Sequence, residues 1–228
     1  MRSGSVTTIL SGGRFPAVGV VVAGVMIGTR VLAGLALVPA PATVLALLAA
    51  VLVTGGFHED GLADVSDGLG AHVSTERKLE ILKDSRIGTF GALAVAFMVV
   101  LPVVVLAPLS EADFARAALA GHVLGRWSTL SQSWLLPAAA PGGSGALLRA
   151  SPVVVLGGSV FAVAATLAAC GIRPGLIVLA VAAGVTALGG LLCVRVLGGV
   201  TGDTYGAVNK AVEAVELATY VALGAALS

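Results

Sequence analysis

Apolar residues fall in long, nearly unbroken blocks, each close to the ~20 residues needed to cross the hydrocarbon core of a bilayer. Read against that length, the blocks predict seven transmembrane helices at about 17–37, 42–57, 90–109, 115–136, 152–170, 174–197 and 206–227. The second block is short and the fourth is the most polar. Residues 17–38, followed by Pro39-Ala40-Pro41-Ala42, have the outline of a signal peptide. That apolar run exceeds the usual ~7–15 residues and further spans follow, so it is read as the first helix. Connectors at 38–41, 110–114 and 171–173 leave no room for an external domain, and residues 1–228 read as one membrane-embedded all-α bundle. Pro137 to Gly145, rich in Pro and Gly, reads as a flexible loop.

Composition strengthens the membrane reading. Of 228 residues, 57% are apolar and 11% charged, whereas about a quarter are charged in a soluble domain. A net charge of +1 gives no electrostatic case for nucleic acid as a partner. Cys170 and Cys193 sit in apolar runs without Cys or His at ligand spacing, so they read as buried thiols rather than a disulfide or a zinc site.

If the spans alternate, one side receives Arg2, Arg14, Arg77, Lys78, Lys83, Arg86, Arg149, Arg195 and Lys210, and the other only Arg116 and Arg173. The positive-inside rule then puts the first side, with the N-terminus, in the cytoplasm. Arg30 and Arg126 fall within or near apolar spans, and Arg30 is expected to snorkel to the interface.

The carboxylates are clustered. Seven of the 12 Asp and Glu lie between 59 and 84: Glu59, Asp60, Asp64, Asp67, Glu76, Glu80 and Asp84. If the second helix continues through this segment, Asp60, Asp64 and Asp67 stand at i, i+4 and i+7 on one face. Like charges at that spacing repel, so a cation is expected. Hard oxygen donors without His or Cys favour Mg²⁺, with Mn²⁺ or Ca²⁺ as alternatives. The plainer alternative is a solvated helix end. Gly61 and Gly68 weigh against it, because glycine is costly in a helix and useful where a ligand nears the backbone. His58 and His72 flank the segment and read as surface residues.

Residues 76–91 predict a short amphipathic helix and then a break. Lys83, Ser85 and Arg86, followed by Gly88 and Gly91, combine cations, a hydroxyl and flexible backbone, a set suited to holding a phosphate beside the carboxylates. Lys78, a turn earlier, reads as ordinary helix surface. A third polar island, Gly198 to Gly206, falls on the same predicted side. There Thr201, Asp203, Thr204 and Asn209 either cap the last helix or join the acidic stripe in one site. Glu213 and Glu216 follow as intramembrane carboxylates, which are functional by default.

The runs His58 to Gly68 (HEDGLADVSDG), Leu82 to Gly91 (LKDSRIGTFG) and Thr201 to Gly206 (TGDTYG), with Arg14 to Gly19 (RFPAVG) before the first helix, together resemble the cobalamin synthase family, the adenosylcobinamide-GDP ribazoletransferases. These motifs cover about a quarter of the chain, and Pro137 to Leu197 adds nothing beyond hydropathy. Lys210 stands where a neutral or acidic residue would be expected.

The resemblance implies a multi-pass enzyme of the prokaryotic cell (inner) membrane, with the bilayer and two small-molecule substrates as partners; a homo-oligomer is compatible with it. The ribose 3′-hydroxyl of α-ribazole, or of its 5′-phosphate, attacks the cobinamide-linked phosphorus of adenosylcobinamide-GDP. GMP leaves, giving adenosylcobalamin or its 5′-phosphate. On this reading Mg²⁺ sits on Asp60, Asp64 and Asp67, with Glu59 as a ligand or in support. Lys83, Ser85 and Arg86 bind the diphosphate, Thr201 and Asn209 contact substrate, and Asp84 or Asp203 is a second metal contact or the base. Two rivals are an alcohol phosphotransferase of phospholipid synthesis, to whose pattern the Lys83 to Gly88 run does not belong, and a polytopic transporter. A transporter is expected to bury its carboxylates near the midplane of repeated halves.

Overall fold

The computed structural model describes residues 15–227, and all of the described elements are helical. In chain order they are α1 (Phe15–Gly34), α2 (Pro39–Thr54), α3 (Phe57–Gly70), α4 (Thr75–Ile81), α5 (Thr89–Leu106), α6 (Glu111–Leu135), α7 (Ser144–Leu147), α8 (Pro152–Cys170), α9 (Ile172–Leu197) and α10 (Gly202–Leu227). Arg2 and Arg14, which enter the charge count and the N-terminal motif, lie outside the described residues.

Each of the seven expected spans has its helix, but not all are built to cross lipid alone. Four are long and apolar enough, α1, α5, α8 and α9, and a fifth arises if α2 and α3 are taken together as one broken span. The polar helices α6 and α10 are sheathed by the others. In α6, Gly121 through Arg126 are all buried, as is every residue from Ser128 to Ser133. The apolar helices instead turn side chains outward: Val21, Phe97, Val104, Val153, Leu156 and Leu188 are exposed. In lipid this arrangement costs nothing at the surface and leaves the polar helices to partner one another. Val22, Met26, Ala46, Ala50, Leu106, Phe114 and Leu217 pack one core region, and Val123, Leu124, Ala162, Val178, Ala182 and Val212 a second.

The helix ends follow their local chemistry. Ser74, Ser110 and Ser151 accept hydrogen bonds from the backbone N–H groups of Arg77, Asp113 and Val154, and Pro follows directly at position 152. Helix α2 does not continue into the acidic segment as the pattern suggested. Gly55 (φ 70°) and Gly56 (φ 72°) are both left-handed, a conformation that L side chains rarely adopt, and α3 leaves at 89° to α2. With four carboxylates in fourteen residues, α3 is too polar for hydrocarbon, and it lies at the end of the bundle.

Arg30 does not snorkel. It is 2% exposed, with Nε 3.1 Å from Glu111 Oε1, Nη1 donating to Pro39 O at 2.7 Å and to Thr43, and its guanidinium over the Phe114 ring. It locks α1, α2 and α6 at the end opposite α3. Satisfied locally, the charge has no need to reach the interface. Both cysteines are free, Cys193 buried and Cys170 partly so.

Candidate active site

Three sequence-distant segments meet at the α3 end. On α3, Asp60 is exposed while Asp64 and Asp67 are half-buried. Burial and the neighbouring carboxylates Asp60, Asp203 and Asp67 push the Asp64 carboxyl up to about 6. None of Asp60, Asp64 and Asp203 is in an ion pair among the described residues. Asp67 has a structural duty: its oxygens accept from Gly88 N at 2.7 Å and Gly91 N at 2.9 Å. It thereby caps α5 from outside that helix and fixes the 82–88 turn against α3.

Asp203 reaches the same place because α10 crosses α3 at glycine. A Cβ on Gly61 would lie 2.6 Å from the Asp203 carbonyl oxygen, and one on Gly68 would lie 2.3 Å from the Leu82 side chain. Gly61 and Gly68 thus serve close packing of protein on protein, and not a ligand's approach to the backbone as the sequence suggested. Thr201 opens α10, with its N–H donating to Thr204 Oγ1 at 2.8 Å and its hydroxyl lying 3.3 Å from Asp203 Oδ2. The cap and the shared site are therefore the same structure.

The Pro137 to Gly145 segment is not a free loop. Val200 N donates to Pro137 O at 2.9 Å, Ala139 N to Val200 O at 3.0 Å, and Gly202 N to Ser144 Oγ at 2.8 Å. So tied, it closes one side of a cleft lined by Lys83, Ser144, Thr201 and Asp203. Ser85 and Arg86 are exposed on the adjoining turn. Arg86 is held by Asp84, with Nε 3.0 Å from Oδ1 and Nη2 2.6 Å from Oδ2, and this pairing keeps the Asp84 carboxyl down at about 2. Lys78 is not plain helix surface: its Nζ donates to Gly68 O at 3.0 Å and to Ala71 O, capping the end of α3.

Behind this surface lies a buried charged cluster. Lys210 Nζ is 3.1 Å from Glu59 Oε1 and 2.7 Å from Glu213 Oε2. Glu213 also pairs with Arg126 and lies 2.8 Å from His122 Nδ1, whose Nε2 is 3.3 Å from Met26 Sδ. Glu59 is thus turned inward, away from Asp60 and Asp64, and Lys210 is a core cation and not a loop charge. His58 is not a surface residue; it lines the same interior, and burial with Arg126 nearby lowers it to about 4, so it is neutral. His72 is exposed. Asn209 sits deeper, fully buried against Gly125, and both of its amide atoms lack a hydrogen-bond partner. Sequence reasoning passed over His122 and noted Arg126 only as a leftover. The available signal was their i, i+4 spacing within an apolar span, matched by Lys210 and Glu213 on another helix.

The donors at the surface suit a hard divalent cation in kind: oxygen only, crowded and without a counter-charge. As placed, no three His, Cys, Asp or Glu side chains among the described residues converge to hold a metal ion.

No solved structure matches the chain. Curated relatives do. An adenosylcobinamide-GDP ribazoletransferase of Roseiflexus sp. (strain RS-1) is 40% identical over 207 residues, 90% of this chain and 76% of the relative. Proteins with the same name from Polaromonas sp. (strain JS666 / ATCC BAA-500) and Desulforamulus reducens are 36% and 38% identical, over 95% and 75% of this chain and 86% and 70% of theirs. The family model for cobalamin-5-phosphate synthase matches residues 11–222, a range that takes in the acidic helix, the Lys83 turn and the Thr201 cap, and the chain belongs to that family.

Proposed function

We propose that the protein joins adenosylcobinamide-GDP to α-ribazole, or to its 5′-phosphate, at the surface formed by α3, the 82–88 turn and the start of α10. The observation that carries this reading is the meeting of Asp203 with Lys83 across one cleft, built from segments more than a hundred residues apart and with Asp64 close enough to Asp203 to feel its charge, in a chain of this family. Displacement at a diphosphate needs charge neutralisation and alignment more than covalent help. Asp60 and Asp64 would hold Mg²⁺, which when bound supplies charge neutralisation for the phosphoryl oxygens. Lys83 and Arg86 add positive charge on the other side of the diphosphate, with Ser85 as a hydroxyl donor, and Asp84 orients the Arg86 guanidinium. Held at about 2, Asp84 is a poor proton acceptor, so Asp203 takes the proton of the attacking 3′-hydroxyl. The new bond forms from that oxygen to the cobinamide-linked phosphorus as the bond to the GMP oxygen breaks. Thr201 positions Asp203. Asp67, committed to Gly88 and Gly91, shapes the turn, and Glu59 and Asn209 act from behind the surface.

The site faces the cytoplasm of a prokaryotic cell on this reading. Support comes from the excess of Lys and Arg in the three loops that gather at the α3 end. Cysteine introduced at position 72 or 144 should then resist an impermeant reagent added outside sealed, oriented vesicles. The central test is GMP release from adenosylcobinamide-GDP by protein in liposomes. Release that requires both α-ribazole and Mg²⁺ supports the proposal, and release indifferent to α-ribazole overturns it.

A further inference from the structure

The first turn of α10 is held partly from within and partly from outside. Thr201 N donates to Thr204 Oγ1 at 2.8 Å, and Thr204 N donates back to Thr201 Oγ1 at 3.2 Å, so these two residues cap the helix between themselves. Gly202 has a first-turn N–H for which an α-helix supplies no acceptor of its own. Its partner comes from 58 residues earlier in the chain, Ser144 Oγ at 2.8 Å.

The segment that brings Ser144 there is itself fixed. Besides the two backbone bonds between Val200 and the 137–139 stretch, Tyr205 Oη donates to Gly145 O at 3.2 Å. The packing leaves no room for side chains. A Cβ on Gly145 would fall against the Val200 carbonyl, one on Gly199 would lie 2.6 Å from Pro137 O, and one on Gly202 would lie 2.9 Å from Ser144 Oγ. On the other side, a Cβ on Gly61 of α3 would lie 2.9 Å from the Asp203 Cα. Asp203 is thus gripped from two directions, by α3 and by the segment carrying Ser144.

Ser144 is exposed, and a hydrogen bond open to water adds little to stability. Its geometric effect is larger. Glycine has no side chain to fix its own backbone direction, so the bond at Gly202 N sets that peptide plane, and the next Cα along carries the Asp203 side chain. Thr201 Oγ1, 3.3 Å from Asp203 Oδ2, then holds the carboxylate end.

We propose that Ser144 is a positioning residue for the transfer, which aims the Asp203 carboxylate into the cleft that both line by holding Gly202 N. The inference rests on the reading of Asp203 as the acceptor of the hydroxyl proton. It gives a role to the stretch from Pro137 to Leu147, whose sequence offers only hydropathy.

The test measures GMP release by full-length protein in liposomes. Ser144→Ala removes the acceptor without adding bulk, and kcat should fall about tenfold or more, the scale expected of a small misplacement. The KM values for adenosylcobinamide-GDP and α-ribazole, and the unfolding midpoint, should stay at their wild-type values. Ser144→Thr keeps the hydroxyl and should recover most of kcat, while Gly202→Ala, whose methyl would displace the Ser144 hydroxyl, should reproduce the loss. Deuterium uptake by the peptide spanning residues 200–205 should quicken in Ser144→Ala and not in Ser144→Thr. An unchanged kcat in Ser144→Ala would overturn the role, as would a loss that threonine does not recover. So would a raised KM with kcat intact, since Ser144 would then touch substrate instead of acting through Asp203. Absence of α-ribazole-dependent GMP release by the wild type would overturn the transferase reading itself, whereas an active wild type with an unaffected Ser144→Ala overturns the role of Ser144 alone.

Discussion

Lys210 on α10 and Glu59 on α3 form an ion pair of 3.1 Å that joins the buried core of the bundle to the helix bearing the surface carboxylates. The same ammonium lies 2.7 Å from Glu213. One cation thus serves a carboxylate on each of the two helices and ties α3 to α10.

Removing that ammonium leaves two carboxylates poorly compensated in a low-dielectric setting. Lys210→Met should destabilise the protein by on the order of 3 kcal/mol, read as a lower midpoint of thermal unfolding in detergent. Adding Glu59→Gln to it should recover part of the loss, because one of the stranded charges is then gone. A double variant no more stable than the single one would show that Glu59 does not depend on Lys210.

Asp67 should separate capping from charge. Asp67→Ala removes both acceptors at the start of α5 and should cost about 1–2 kcal/mol. Asp67→Asn retains one carbonyl acceptor and should lose less than half of that. Equal losses in thermal unfolding would mean that the bonds to Gly88 and Gly91 contribute little.

Asp64 should behave in the opposite way. It is crowded by other carboxylates, so Asp64→Asn relieves repulsion and should leave the unfolding midpoint unchanged or slightly higher. GMP release should nevertheless fall by about 100-fold or more, and chelation with EDTA should abolish it in the wild type. Full activity in excess EDTA would remove the metal from the proposal.

Arg86 and Arg77 make a matched comparison, each exposed and each paired with an acid, Asp84 and Glu80. Arg86→Lys should slow GMP release by about 30-fold if the planar fork grips phosphate oxygens, whereas Arg77→Lys should be nearly silent. Lys78 is unsuitable as the control, since it caps α3. Equal, small effects would exclude Arg86 from the site.

Much of this was legible in the sequence because the governing signals are local. Apolar blocks gave helices within a few residues of those observed, and the spacing of Asp60, Asp64 and Asp67 survives in α3 although that helix is separate from α2. What escaped depends on contacts between distant segments. Gly61 and Gly68 carry no mark that distinguishes a helix crossing from a ligand's approach. Arg30 is satisfied by Glu111, 81 residues away, and nothing in its own neighbourhood announces that partner. The docking of Pro137 to Gly145 relies on backbone bonds to Val200, which composition does not encode. Glu59 and Asp60 are neighbours in the chain, yet Glu59 turns to Lys210 in the core while Asp60 is exposed, a difference whose partner lies 151 residues away.

The sheathing of α6 and α10 has a consequence for how the protein is made. Arg126 emerges 87 residues before its carboxylate partner Glu213, a delay of about 4 to 17 s at ordinary rates of synthesis. During that interval a cation in the middle of α6 has no counter-ion, and lipid is a hostile medium for it. Helix α6 must therefore wait in a watery or proteinaceous setting until α10 follows, so that a helix synthesised later completes the insertion of one made long before it. A nascent chain halted before residue 213 should leave α6 extractable, while α1 and α5 are already committed to the bilayer.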